Sequence, residues 1–380
     1  MRRPRRRSGG HGGFVLPAAI MALVLLSALV AGALYVSTEE LRAGRSDLAS
    51  ERALAAAESA IERTIAAWDA RLNTSSRLGA SAVVERWFSP VGDRAEVTAT
   101  RVGRRAVWLT AVATSGADGR TIPARHTIAA SLRLVGVDVP LRAALTAGGR
   151  VTVRDATVDG RDGVPFDASS MACADETPAD VAGLLVPDTL LACNATCSSG
   201  PPAGVSGAPP VGVDAGLTSD STIASGDRAL AARATLVLPT GTYAPRPSVI
   251  AAGCDSDDQL NWGDPLGGAC GDLFRIVRIR GDAVLGAGSV GQGVLLVDGT
   301  LRMEAGARFS GVVIASNDVE VTGSGASLTG AAFARDADRV GGSTVADGAE
   351  IRYASCAVRR AQLGVSRLVR TPGRWWAELR

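Results

Sequence analysis

The sequence predicts an α+β chain: a long N-terminal helix whose first half crosses a membrane, a small antiparallel sheet, then a mainly-β region of parallel β-solenoid-like 18-residue coils. Three observations carry this. A charge-free apolar run from Phe14 to Val36 follows an arginine-rich start. A helical pattern continues past that run without a proline to Leu72. An alternating segment beginning at Val277 recurs at Leu295 and again at Val313.

The apolar run is long enough to span a bilayer, which takes about 20 residues. Arg2, Arg3, Arg5, Arg6 and Arg7 precede it and stay cytoplasmic by the positive-inside rule, so the rest of the chain lies outside that membrane. A secretory signal has a shorter apolar core, about 7–15 residues. Beyond the run, Leu34, Leu41, Leu48 and Ala55 repeat every seven residues. Ala57, Ile61, Ile65, Trp68 and Leu72 then form a stripe at helical spacing, the mark of one buried face. Glu51, Glu58 and Glu62 read as a solvated face. From Phe14 to Leu72 such a helix would extend roughly 90 Å.

Period-two alternation follows. Glu96–Val102 and Ala106–Val112 flank Gly103-Arg104-Arg105 as a hairpin, and a third run covers Thr127–Leu134. In the second half, Val277, Leu295 and Val313 stack at a fixed spacing, as do Ile279, Val297 and Ala315. Ala283, Leu301 and Val319 continue the pattern across a turn, with Leu285, Met303 and Val321 beside them. Short-period alternation of this kind predicts a parallel solenoid, each coil burying its inner row only by stacking on the next. The turn residues Gly281, Gly299 and Asn317 suit positive φ. Phe309 and Leu328 fill a third face, with one extra residue near Gly323-Ser324-Gly325. Another coil is expected from Val151 to Val158, closing at Gly160. Ser198–Asp220 reads as a surface loop, and Gly373–Leu379 as an amphipathic cap over the solenoid end.

Composition narrows the functions. There are 40 basic and 38 acidic side chains, net +2, so no bulk field draws the chain to nucleic acid. No Gly-x-Ser-x-Gly or P-loop pattern appears, and no enzyme is expected. Asp282, Asp298 and Asp318 sit at repeat turns, where aspartate is favoured structurally. Cys173, Cys193, Cys197, Cys254, Cys270 and Cys356 all lie beyond the membrane, where disulfides form. Their pairing stays open; proximity favours Cys193–Cys197 and Cys254–Cys270. Zinc would need further ligands, and the histidines are only His11 and His126. No cofactor is required. Calcium is the one candidate, at Asp255, Asp257, Asp258 and Asp264, without EF-hand spacing.

Gly12-Gly13-Phe14 followed directly by the apolar run resembles a class III signal, the leader of type IV prepilins and pseudopilins. The resemblance implies cleavage by prepilin peptidase between Gly13 and Phe14, and N-methylation of Phe14. Most pilins carry glutamate at the fifth mature position, and here it is Ala18. That departure resembles PilX-like minor pilins and the K-type minor pseudopilins of type II secretion. The helix around Ala56-Ala57-Glu58 and the segments Ala143–Gly163, Asn261–Pro265, Gly291–Leu301, Gly311–Gly323 and Ile351–Val358 resemble PilX-like pilus assembly proteins too.

The organisation expected is therefore a cytoplasmic leader at 1–13, a transmembrane half-helix at 14–36, and an extramembrane half-helix at 37–78. A pilin-like sheet at 79–137, a Gly-rich solenoid-like domain at 138–360 and a tail at 361–380 follow. The implied role is that of a minor pilin in type IV pilus assembly or at its tip, in a bacterial cytoplasmic membrane and then on the pilus. The implied partners are other pilins or pseudopilins, prepilin peptidase and the lipid bilayer. The alternatives are a type II secretion minor pseudopilin or a non-pilus membrane-anchored solenoid.

Overall fold

The computed structural model describes residues 15–90, 92–115, 123–163, 179–192, 202–217, 221–251, 253–372 and 376–378. Helix α1 runs unbroken from Val15 to Ala66, 52 residues, or about 78 Å at 1.5 Å per residue. Every residue from Val15 to Leu48 is exposed. The second half buries Ala49, Ala53, Ala56, Ala57, Ala60, Ile61 and Thr64, a stripe of small residues that lets a sheet approach the helix axis closely. Expected to reach Leu72, α1 stops at Ala66. Asp69 accepts the Arg71 N–H at 2.9 Å, which turns the chain into the short α2, Leu72–Ser75.

Four antiparallel strands then roof the helix: β1 (Ser81–Phe88), β2 (Arg94–Arg101), β3 (Ala106–Ser115) and β4 (Ala124–Val135). The hairpin at Gly103–Arg105 forms as expected, with Arg101 opposite Val107. The register stacks Val97, Ala111 and Ile128 across three strands. All three pack on Ala57, Ala60 and Ile61 of α1. Strand β1 adds an edge to the expected three-stranded meander.

The parallel region is a triangular coil assembled in two halves. The chain first makes β5 (Ala143–Ala147), β6 (Val151–Arg154) and β7 (Thr157–Asp159), then β8 (Ala182–Val186), β9 (Val205–Ser206) and β10 (Val211–Val213) stacked outward from them. Strands β9 and β10 lie where the sequence suggested only a surface loop; Val205 and Val211 continue rows of the core. After α3 (Ser221–Ala231), β11 (Leu236–Tyr243) starts the opposite end. A cap containing β12 (Val249–Ile250) and β13 (Gly253–Cys254) follows.

Then β14 (Arg275–Leu285), β15 (Val290–Val297), β16 (Leu301–Met303), β17 (Arg308–Ala315), β18 (Val319–Thr322), β19 (Ser327–Ala334), β20 (Ser343–Ala346) and β21 (Glu350–Tyr353) wind back. They meet the first half where β19, β20 and β21 pair with β5, β6 and β7.

One row crosses the whole first face: Leu236, Val277, Leu295, Val313, Ala332, Leu145, Leu184 and Val211. Met303, Val321, Val345 and Val153 line the second face, and Phe309, Leu328, Ile351 and Val158 the third. The expected coil at Val151–Val158 is therefore real, although it stacks on the last coils in sequence. The outer side of the first face is also buried, under Leu230 of α3 and Ala361 of α4 (Ser355–Gly364). This two-sided burial explains the continuous apolar runs Val294–Val297 and Val312–Ala315.

Of the three expected left-handed turn positions, only Gly281 is left-handed, at φ 110°. Gly299 instead lacks a Cβ because one would lie 2.8 Å from the Gly281 carbonyl carbon. Asn317 has ordinary negative φ. The true left-handed ladder is Gly293, Gly311 and Gly330, at φ 116°, 134° and 136°, stacked in register between the third and first faces. A Cβ at Gly311 would overlap the Gly293 carbonyl oxygen, so the corner admits only glycine.

The chain finally returns to the head. Strands β22 (Arg367–Arg370) and β23 (Trp376–Glu378) both pair antiparallel with β4. The expectation that this segment caps the solenoid is corrected: its backbone completes a six-stranded sheet. The solenoid is thus an insertion within the head sheet. Asn73 locks the joint, donating to the carbonyls of Leu363 and Ser366 at 3.0 and 2.9 Å and accepting from Trp68 Nε1.

Candidate functional sites

Helix α1 is the most conspicuous functional surface. Leu16, Ile20, Leu23, Leu26, Val30 and Leu34 are each more than half exposed, on a helix long and apolar enough to cross a membrane. None of the described residues covers them, and an apolar surface of this extent suits lipid or other apolar helices. The processing residues Gly13 and Phe14 lie outside the described residues. The second half of α1 is held to the head by Ser50, whose hydroxyl is 2.7 Å from His126 Nε2, and by Arg63, which pairs with Glu85 at 2.8 Å and lies over the Trp87 ring. Of the three glutamates read as solvated, Glu51 and Glu58 are exposed, while Glu62 pairs with Arg370 of β22.

A second site is the cap at the β11 end of the solenoid. Cys254 and Cys270 are joined in a disulfide across it. Asn261, fully buried, donates to the carbonyls of Ser248 and Asp255 at 3.0 and 2.7 Å and lies 3.3 Å from both sulfurs. The adjacent Trp262, also fully buried, packs over Gly291 and Phe309 and ends the third-face row. Gln292 closes the site from below by donating to the Gly271 and Leu273 carbonyls.

The aspartates named for calcium sit on this cap. Asp255 accepts N–H bonds from Asp257 and Asp258, Asp258 from Leu260, and Asp264 from Leu266. Each of these three carboxylates stabilises a local turn. Cys356 is disulfide-bonded to a partner outside the described residues. Cys173, Cys193 and Cys197 lie outside them as well.

The repeat aspartates divide by environment. Asp282 accepts the Thr300 N–H at 2.8 Å, and Asp298 pairs with Arg278 at 2.9 Å. Asp318 is 5% exposed and comes together with Asp336 and Asp338, their oxygens within 4.8 Å of one another. Burial, then the neighbouring Asp336 and Asp338 charges, push Asp318 up to about 6. An all-oxygen set suits a hard cation in type. At lower pH the same group is satisfied by a proton. Sequence reading missed Asp336 and Asp338; the only signal was their D-x-D spacing beside a glycine pair, which does not locate a corner.

No protein-family description matches the chain. No curated protein matches it either. One solved structure to which the chain is similar is the crystal structure of the competence-associated pilin ComZ from Thermus thermophilus, at 14% identity and a TM-score of 0.24. The similarity covers 88% of this chain and 97% of that one.

Proposed function

We propose that the chain is a PilX-like minor pilin, held in the cytoplasmic membrane by Phe14–Val36 and, once cleaved after Gly13, drawn from there into a type IV pilus. One observation carries this reading: α1 passes without a break from a fully exposed apolar half into a half roofed by an antiparallel sheet. A membrane anchor alone needs no rigid continuation into the head. A subunit that packs its helix among others does, because the helix then fixes where the head stands. In this reading other pilins surround the exposed half of α1 after assembly, and lipid surrounds it before. The role is structural, with the solenoid displayed outward.

The test is mass spectrometry of the N-terminal peptide from native membranes and from sheared surface fractions. A chain starting at N-methylated Phe14, present in the sheared fraction, is the expected result. An intact Met1 leader in cells with working prepilin peptidase would overturn the reading and leave a membrane-anchored solenoid.

A further inference from the structure

At each end of the first face the last strand pairs on one side only among the described residues, β10 with β8 and β11 with β14. At the β11 end, the third face is closed by the disulfide-pinned cap, with Trp262 over Gly291. The first face is not closed. Strand β11 pairs with β14 on one side only, and among the described residues no strand lies on the other. In a parallel ladder alternate residues turn their N–H and C=O groups to opposite neighbours, so half of those in β11 face outward. Backbone groups of this kind are obligatory hydrogen-bonding groups.

Natural edges carry charges or prolines to discourage pairing. From Ala234 to Pro245 there is no charge at all. Pro239, with the bulge that follows it, interrupts the edge midway and leaves Leu236–Leu238 as its usable part. Leu236 and Leu238 end two rows of the solenoid core and are 9% exposed each, while Val237 between them faces solvent at 45%.

The neighbouring cap gives the edge a charge. Strand β11 runs directly into it, the Tyr243 ring lying 6.2 Å from that of Trp262. Asp255, Asp257, Asp258 and Asp264 there outnumber Arg246 and Arg275, in a chain whose net charge is +2. Arg275 already donates to the Asp258 carbonyl at 3.1 Å.

We infer that the β11 edge and the acidic cap together form a docking surface for a short extended segment of a partner protein. The segment adds one further strand parallel to β11. Its alternate residues are apolar, to continue the rows that end at Leu236 and Leu238, and basic residues follow at its C-terminal end to meet the cap aspartates. Strand addition draws affinity from main-chain bonds and specificity from alternate side chains. Charge complementarity then sets direction and register.

The experiment uses the full chain in detergent micelles and a fluorescent peptide, Val-Thr-Val-Thr-Val-Arg-Arg. Saturable, salt-sensitive binding is expected, with slowed amide hydrogen exchange within Leu236–Tyr243. Val237→Lys should weaken binding about tenfold or more, since a charge on an open edge opposes pairing. Val237→Thr should retain it, and Asp257→Asn with Asp258→Asn should weaken binding and flatten its salt dependence. The melting transition of each variant checks that the fold is kept.

Binding that leaves β11 exchange unchanged, or that Val237→Lys does not alter, overturns the proposal. So does a dimer of the free chain that Val237→Lys disperses, because the occupant would then be a second copy. The assay does not involve the N-terminus, so it stands apart from the outcome for Phe14 processing.

Discussion

Replacing Gly311 by alanine isolates the corner ladder as a source of solenoid stability. The added Cβ would overlap the Gly293 carbonyl oxygen and lie 3.0 Å from the Ala361 Cβ, at φ 134°. Two costs combine: a side chain in a backbone region reserved for glycine, about 1–3 kcal/mol, and overpacking between coils, about 1–3 kcal/mol. The sum, about 2–6 kcal/mol, is a large share of the 5–15 kcal/mol that typically holds a domain folded. Gly288→Ala is the matched control. Its φ is 71° and nothing lies within 4 Å of the new Cβ, so only the conformational cost of about 1–2 kcal/mol applies. Urea unfolding of the purified chain, with hydrogen exchange in β15, β17 and β19 read alongside, measures both variants. If Gly311→Ala costs no more than Gly288→Ala, the close approach of the coils is not what the ladder provides.

Two other variants probe the buried polar sites. Burial and the neighbouring carboxylates raise the Asp318 carboxyl from the ordinary 3.8 to about 6, so between those pH values the folded state holds a proton that the unfolded chain releases. Stability linked to it therefore falls as pH rises from 3.8 through about 6, and the penalty persists above that. Asp318→Asn should stabilise the chain by about 1–3 kcal/mol at pH 7.5 and by little at pH 4; equal effects at both would refute the burial argument. Asn261→Ala removes a donor from the Asp255 carbonyl and one of two from the Ser248 carbonyl, which keeps the Asp255 N–H at 2.9 Å, and loosens the contact with both cysteines. A local loss of about 2–4 kcal/mol should appear as faster reduction of Cys254–Cys270 by dithiothreitol, with head exchange unchanged; an unaltered rate would show that Asn261 does not hold the cap.

The rows at Val277, Leu295 and Val313 were legible because inward positions in a coil must be apolar at a fixed interval, and the register follows that interval. The extra residue before Leu328 was legible for the same reason; Gly323 and Gly325 absorb it at φ 93° and 75°. What the interval does not encode is the order of coils. Nothing in Val151–Val158 announces that it stacks on Val345 and Ile351 and not on a neighbour in sequence. The left-handed corner was missed because Gly293 and Gly330 look like ordinary glycines until the coils close over them. The Asp318 cluster depends on a corner loop bringing Asp336 and Asp338 back, a proximity set by the tertiary fold. Strand β22 reads in the sequence as part of a tail because a four-residue strand has too few alternations to register on its own.

The placement of the solenoid inside the head sheet has a consequence for the order in which the molecule is made. Strand β22 must find β4 across about 230 intervening residues (136–366), and closing a flexible loop of that length costs about 5 kcal/mol beyond the constant term. A folded solenoid removes that cost. Gln362 donates to the Val139 carbonyl at 3.3 Å, so the incoming and outgoing chain already lie side by side at its base. Coils that form first would deliver β22 to its partner and complete the sheet over the helix. A head with its last edge in place certifies that everything between has been synthesised and wound. A chain cut short anywhere in the coils would present β4 bare, and would be recognisable as unfinished to whatever pairs with exposed strands.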